Sequence, residues 1–309
     1  MTKTKFLLII LGIALSIAVI DVCFGLAMRW YVQNREIPGD YRKIEYMRIH
    51  LDAPILLLGA STCMNSINPD LLKNEIGKNV FNGGLNDQRL ELFDIMCDMI
   101  FRHSTPELLV LVMRPNDLTV SGRGRISMMN IYYHLGYPKL DHYLNQGQLK
   151  KKILLNSALY RFNTYWWRIM LYNFKSFNEL AHGGFVGKPV PKILPERIMA
   201  AAGNNTPVNS EKLQCLKNIL ETCRRSGTCL WIVIPPEYYK HGAESESPGL
   251  PHIRKFCEEN KIFFVDDSQH PDYMDHPEYF FDNNHLNIHG AEKYTLRFLN
   301  LLREKGFKK

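Results

Sequence analysis

Ser61 is the first residue of this sequence that combines a nucleophilic side chain with a chemically useful place. The aliphatic residues 55–58 run into Gly59-Ala60 and then the hydroxyls of Ser61 and Thr62. An unbroken apolar run of that length, bounded by Pro54 and Gly59, fits a strand buried on both faces of a parallel sheet. Ser61 then stands just past the carboxyl end of a central strand, where open α/β sheets bind their ligands. A serine hydroxyl is a weak nucleophile until a base takes its proton and a third group fixes that base. His285 can be the base, and Asp282, three residues earlier, can bond its other ring nitrogen. Both lie in one loop ahead of the last helix, so they can converge on a serine from the same side.

Two rival sites use neighbouring residues. Cys63 is two positions beyond Ser61 and is also a nucleophile, but it lacks the turn position and reads as a small buried side chain. His285 and His289, with His270, His276, Asp266, Asp267 and Asp275 nearby, contain metal-ligating types. No cysteine or second helical histidine pair completes a shell, so no metal is expected.

The elements that must position these groups follow a regular rhythm. After the first strand, Asn68-Pro69-Asp70 opens a helix: Asn68 can cap, Pro69 fits the first helical position and Asp70 suits the dipole. A short strand at 79–81 ends in Asn82-Gly83-Gly84, and a helix over about 87–102 places Leu90, Phe93, Cys97 and Ile100 on one face. A strand at 108–113 runs into Arg114-Pro115-Asn116-Asp117. Helices at about 210–225 and 252–260 alternate with strands at 230–234 and 262–265. Gly227 is a ready left-handed cap for the first of them. A final amphipathic helix carries Tyr294, Phe298 and Leu301. The spacing predicts right-handed βαβ units. The fold expected for the chain is a three-layer α/β/α sandwich with a five-stranded parallel sheet, flavodoxin-like in order.

Residues 118–207 break the rhythm. They are rich in Tyr, Trp, Asn and Lys, show no clear strand, and read as a helical insertion or cap over the sheet's carboxyl edge. Trp166-Trp167 within it is either a sugar-stacking platform or, as such pairs more often are, a core or membrane-interface anchor.

The chain of 309 residues has a net charge of +7 with its basic residues scattered, and it lacks a nucleic-acid-binding motif. A basic surface beside anionic lipid accounts for that excess more simply than DNA or RNA. Residues 6–28 are apolar except for Gly12, Ser16, Asp21 and Gly25, and Lys3 and Lys5 precede them. That length suits one bilayer span. The run is long for a signal-peptide core and Gly25-Leu26-Ala27-Met28 is a poor cleavage site, so an uncleaved anchor is expected. Asp21 and Val22 are wrong for lipidation of Cys23. Residues 29–50 then form a juxtamembrane linker and 51–309 the main domain. Arg29, Arg35, Arg42 and Lys43 argue by charge count for a cytoplasmic domain. A very short basic tail before a first span argues for an extracytoplasmic one, and the latter is the working expectation. Seven cysteines show no close pairing or metal-type spacing.

Taken with Ser61, Asp282 and His285, these blocks resemble the SGNH, or GDSL-type, hydrolases, from about Ala53 to the C-terminus. Gly59-Ala60-Ser61 matches the first block, Gly84 the second-block glycine, Asn116 the third-block asparagine, and Asp282 with His285 the last, where Leu286-Asn287 and Gly290 also fit. The likeness implies Ser61 as nucleophile, His285 as proton shuttle and Asp282 as its orienter. It implies an oxyanion hole of the Ser61 and Gly84 N–H groups and the Asn116 amide, with no cofactor. The flavour is that of the membrane-anchored bacterial branch acting on cell-envelope polymers. An acylated glycan or small ester would be the substrate, and envelope-assembly proteins the partners. Ala60 stands where the family usually has aspartate, and Arg114 where it has glycine. A cation at 114 can bind an anionic substrate or pair with Asp117. A non-catalytic glycan-binding scaffold is the competing class.

Overall fold

The run 55–58 does become a central strand. In the computed structural model, which describes residues 2–34, 39–119, 124–163, 165–167, 180–199, 207–240 and 247–307, β1 is Ile55–Gly59 and every residue of it is buried. Strands β2 (Val80–Asn82), β3 (Leu108–Val112), β4 (Cys229–Ile234) and β5 (Phe263–Asp266) complete a parallel five-stranded sheet of order β2-β1-β3-β4-β5. The expected sandwich and strand order are therefore present, with helices on both faces. Full burial of an aliphatic side chain of this kind contributes about 1.5–3 kcal/mol, so β1 and β3 anchor the core.

The order reverses between β1 and β3, and the crevice at such a switch point is where doubly wound sheets place ligands. Helix α3 (Ser61–Ser66), which the sequence did not suggest, starts at once after β1. Gly59 is required there: a Cβ would lie 2.5 Å from the Val112 carbonyl oxygen and 2.6 Å from Cys63 Cβ. Helix α4 (Pro69–Ile76) opens as its cap suggested, with Asn68 Oδ1 accepting from the Asp70 N–H at 3.0 Å, and Gly77 closes it in the left-handed region. Helices α5 (Leu90–Ile100) and α9 (Ser210–Ser226) pack together around an ion pair, Lys212 Nζ to Glu91 at 3.4 Å, that is almost wholly buried. Helix α10 (Leu250–Asn260) precedes β5. Helix α11 (Ile288–Glu304) lies against α3 and α4, sending Tyr294, Phe298 and Leu302 into the core. Ahead of β1, α2 (Asp40–Glu45) and a π-helical turn at Tyr46–His50 carry the buried Lys43.

The chain divides into two compact units, residues 1–39 with 126–177, and residues 40–125 with 178–309. The stretch 118–207 is thus shared between them. It includes a strand the sequence reading did not foresee, Ile198–Met199, paired in parallel with Tyr239–Lys240. In the first unit, α1 (Lys3–Asn34) is accompanied by α6 (Pro138–Asn145), α7 (Leu149–Asn156) and α8 (Ala158–Phe162). Residues 3–32 are long and apolar enough to cross a membrane.

Candidate active site

Ser61 is the first residue of α3, and its Oγ lies 2.7 Å from His285 Nε2. His285 Nδ1 in turn lies 2.8 and 2.9 Å from the two carboxylate oxygens of Asp282. The loop that carries the pair folds for local reasons. Asp282 Oδ1 also accepts the backbone N–H groups of Asn284 and His285 at 2.8 and 3.0 Å, a side-chain turn that brings the carboxylate beside the imidazole three residues on. Phe280 and Leu286 pair across its base, and the Tyr238 N–H donates to the Asn283 carbonyl at 2.9 Å. Burial pushes the Asp282 pKa up, but the bonds from His285 and Asn284 outweigh that and hold it below the ordinary carboxylate value. The ionised acid that an imidazole partner requires is therefore favoured.

Asn116 follows β3 at the switch point and is partly exposed. Its Oδ1 accepts from the Ser247 hydroxyl, which orients the side chain and leaves the amide hydrogens as its available donors. Gly84 follows the end of β2. Its N–H donates to Asn82 Oδ1 at 3.0 Å, so in this state it is occupied by the protein itself. The same Asn82 is fully buried and donates to the carbonyls of Cys63 and Ile67 at 2.8 and 2.9 Å, tying the end of β2 to α3. Lys43 adds a second clamp, its ammonium donating to the carbonyls of Gly84 at 2.5 Å and Gly184 at 2.8 Å. From sequence, Asn82 is only a strand end and Lys43 only a charge beside the span, and neither is a site residue. Asn82 at the strand end was the available signal.

Arg114 is the other departure. Its Nε donates to the buried carboxylate of Glu237 at 3.0 Å and its Nη2 to Asn284 Oδ1 at 2.6 Å, while its backbone N–H meets Asp117 Oδ2 at 2.8 Å. The guanidinium thus bridges the ends of β3 and β4 to the loop of Asp282 and His285. Asp117, one of the two partners expected for it, faces Arg114 through that backbone bond and through its charge, and Glu237 and Asn284 are further partners. Burial raises the pKa of Glu237 against the opposing pull of Arg114, and burial likewise raises that of Asp117.

The rival nucleophile is disabled by its surroundings. Cys63 is wholly buried, its Sγ faces Asn82 Oδ1 at 3.4 Å, and burial pushes its thiol pKa up to about 12. Among the described residues no group of three or more His, Cys, Asp and Glu side chains could hold a metal ion. His289 is exposed at the start of α11, where Asn287 Oδ1 caps the helix through the N–H groups of His289 and Gly290. Trp166 and Trp167 belong to the other unit, where they are 42% and 45% exposed.

No family model matches the chain, and no curated protein matches it. Among solved structures it is similar to a Streptococcus pneumoniae protein described provisionally as a platelet activating factor, with 13% identity, a TM-score of 0.40, and 90% of this chain and 98% of that one covered. It is also similar to a Bacteroides fragilis NCTC 9343 protein described provisionally as an acylhydrolase, at 12% identity and TM-score 0.38, covering 91% of this chain and 97% of the other. Likenesses this distant carry no argument about activity.

Proposed function

We propose that the chain is a membrane-anchored serine esterase or O-acyltransferase of the SGNH type, acting on an acylated cell-envelope glycan. The observation that carries this reading is the unbroken series Ser61 Oγ, His285 Nε2, His285 Nδ1, Asp282, each step within 2.9 Å. That is the geometry by which a hydroxyl becomes a nucleophile near neutral pH. Ser61 Oγ attacks the acyl carbon while His285 Nε2 takes its proton. The tetrahedral adduct collapses, the alcohol leaves with that proton, and the acyl group stays on Ser61. Water or a sugar hydroxyl, deprotonated by His285, then releases it. The Ser61 N–H, in the unpaired first turn of α3, and the Asn116 amide are the donors for the oxyanion. Gly84 joins them only if its N–H leaves Asn82. The glycan target, the extracytoplasmic placement and envelope-assembly partners belong to the same proposal, supported by the apolar α1 and the motif resemblance. A fluorophosphonate probe tests it: the wild-type chain should be labelled on Ser61 and Ser61→Ala should not. Absence of labelling in a folded wild-type protein would speak against the reading.

A further inference from the structure

Asp21 is the acidic residue that an apolar span should not contain, and the structure gives it work. Its carboxylate accepts from Ser157 Oγ at 2.6 Å and from the N–H groups of Ala158 and Leu159 at 3.0 and 2.8 Å. An acid in a membrane helix is costly unless paired, and here it satisfies the orphan donors that open α8. The contact continues along one face of α1. A Cβ on Gly25 would meet Ala158 Cβ at 2.7 Å, and Phe24 stacks edge-on against Phe162 with centroids 6.1 Å apart. Arg161 closes the end of α7, donating to the Leu155 and Asn156 carbonyls at 2.8 and 3.3 Å. The α7–α8 hairpin is thus bolted to α1 at residues 21–25, near the end of the apolar run.

The outer side of this hairpin is apolar where a water-facing helix would be polar. On α7, Leu149 and Ile153 are 72% and 61% exposed and, being four apart, share one face. Lys150 and Lys152, both exposed, flank that face on its two sides. Leu159, Tyr160, Trp166 and Trp167 extend the exposed apolar surface beyond α7, and Trp30 stands exposed at the same end of α1. A face of Leu, Ile and Trp edged by lysines, held at the boundary of a span, fits the interface layer of an anionic bilayer. We infer that the α7–α8 hairpin with Trp166 and Trp167 lies in the lipid interface, its lysines on anionic headgroups, as a second membrane contact docked on α1 through Asp21. This rests on the reading of α1 as membrane-inserted, and the test separates the two.

The full chain is reconstituted in phosphatidylcholine–phosphatidylglycerol vesicles, with and without lipids brominated near the headgroup end of their chains. Trp231 is buried in the sheet and serves as background in every variant. Trp30→Phe leaves Trp166 and Trp167 as reporters of the hairpin, Trp166→Phe with Trp167→Phe leaves Trp30 as reporter of α1, and the triple variant sets the background. Bromine should remove emission from both reporters, and Lys150→Gln with Lys152→Gln should weaken the hairpin's quenching when phosphatidylglycerol is present. Quenching of Trp30 alone would overturn the hairpin inference and leave the anchor standing. Quenching of neither would overturn both. Unquenched Trp166 and Trp167 whose emission instead shifts with a soluble acetylated polysaccharide would overturn it in favour of sugar stacking.

Discussion

Arg114 Nη2 donates to Asn284 Oδ1 at 2.6 Å, and Asn284 sits between Asp282 and His285. The arginine therefore holds the loop that carries Asp282 and His285, the orienter and base of the proposed mechanism, while its other side neutralises Glu237. Arg114→Met should lower turnover by roughly tenfold to a hundredfold with a smaller change in KM, because a shift of about 1 Å at a catalytic base is that costly. Steady-state kinetics on an acetyl ester would check this, with Arg114→Lys recovering only part of the loss since it cannot reach both partners in a fork.

The same variant has a pH signature. Burial sets the folded pKa of Glu237 above its ordinary value, and Arg114 opposes that. An acid raised in the folded state binds more protons native than unfolded, so its burial costs stability as pH rises through the raised value. Arg114→Met raises it further. Its deficit should be small at acid pH and grow toward neutrality, to about 2 kcal/mol, discounted because the guanidinium is partly exposed. Denaturant midpoints across pH would show a constant deficit if neither Glu237 nor Asp117, the other buried acid that Arg114 opposes, is the cause.

Asn82→Ala should leave the carbonyls of Cys63 and Ile67 and the Gly84 N–H without their partner. With each orphaned buried group costing about 1–3 kcal/mol, the loss should reach about 3 kcal/mol or more and lower the Tm by several degrees. Cys63→Ala, in contrast, should keep near-wild-type turnover, and alkylating reagents at pH 8 should leave the native enzyme active, because its thiol is held up to about 12.

Under the proposed mechanism, Asn116→Ala removes one oxyanion donor without emptying the core. Turnover should fall on the order of a hundredfold or more, with the Tm little changed. An unchanged rate would mean that the amide does not reach the developing charge.

The sheet was legible because its strands are short, mainly apolar runs between turn residues, and β1 and β3, the purely aliphatic ones, needed nothing else to be recognised. Ser61, Asp282 and His285 were legible because a strand-end serine and an Asp-x-x-His loop constrain each other's chemistry. Helix α3 was not, being six residues long with no apolar periodicity to announce it. The partners of Arg114 were hidden for another reason: Glu237 and Asn284 lie 123 and 170 residues away, and only the folded sheet edge brings them together. Lys43 looked like one more linker charge, whereas two distant carbonyls make it a buried clamp. The occupied Gly84 N–H is of the same kind, since a motif names a residue and not the direction of its amide.

The central claim is that Ser61, His285 and Asp282 act as one unit, and turnover on an acetyl ester with circular dichroism alongside tests it most directly. Ser61→Ala and His285→Ala should each remove nearly all activity, the double variant should be scarcely worse than either, and Asp282→Asn should lose less. All should keep the wild-type spectrum. A folded Ser61→Ala protein with wild-type turnover would contradict the account and leave the site to a binding or scaffold role.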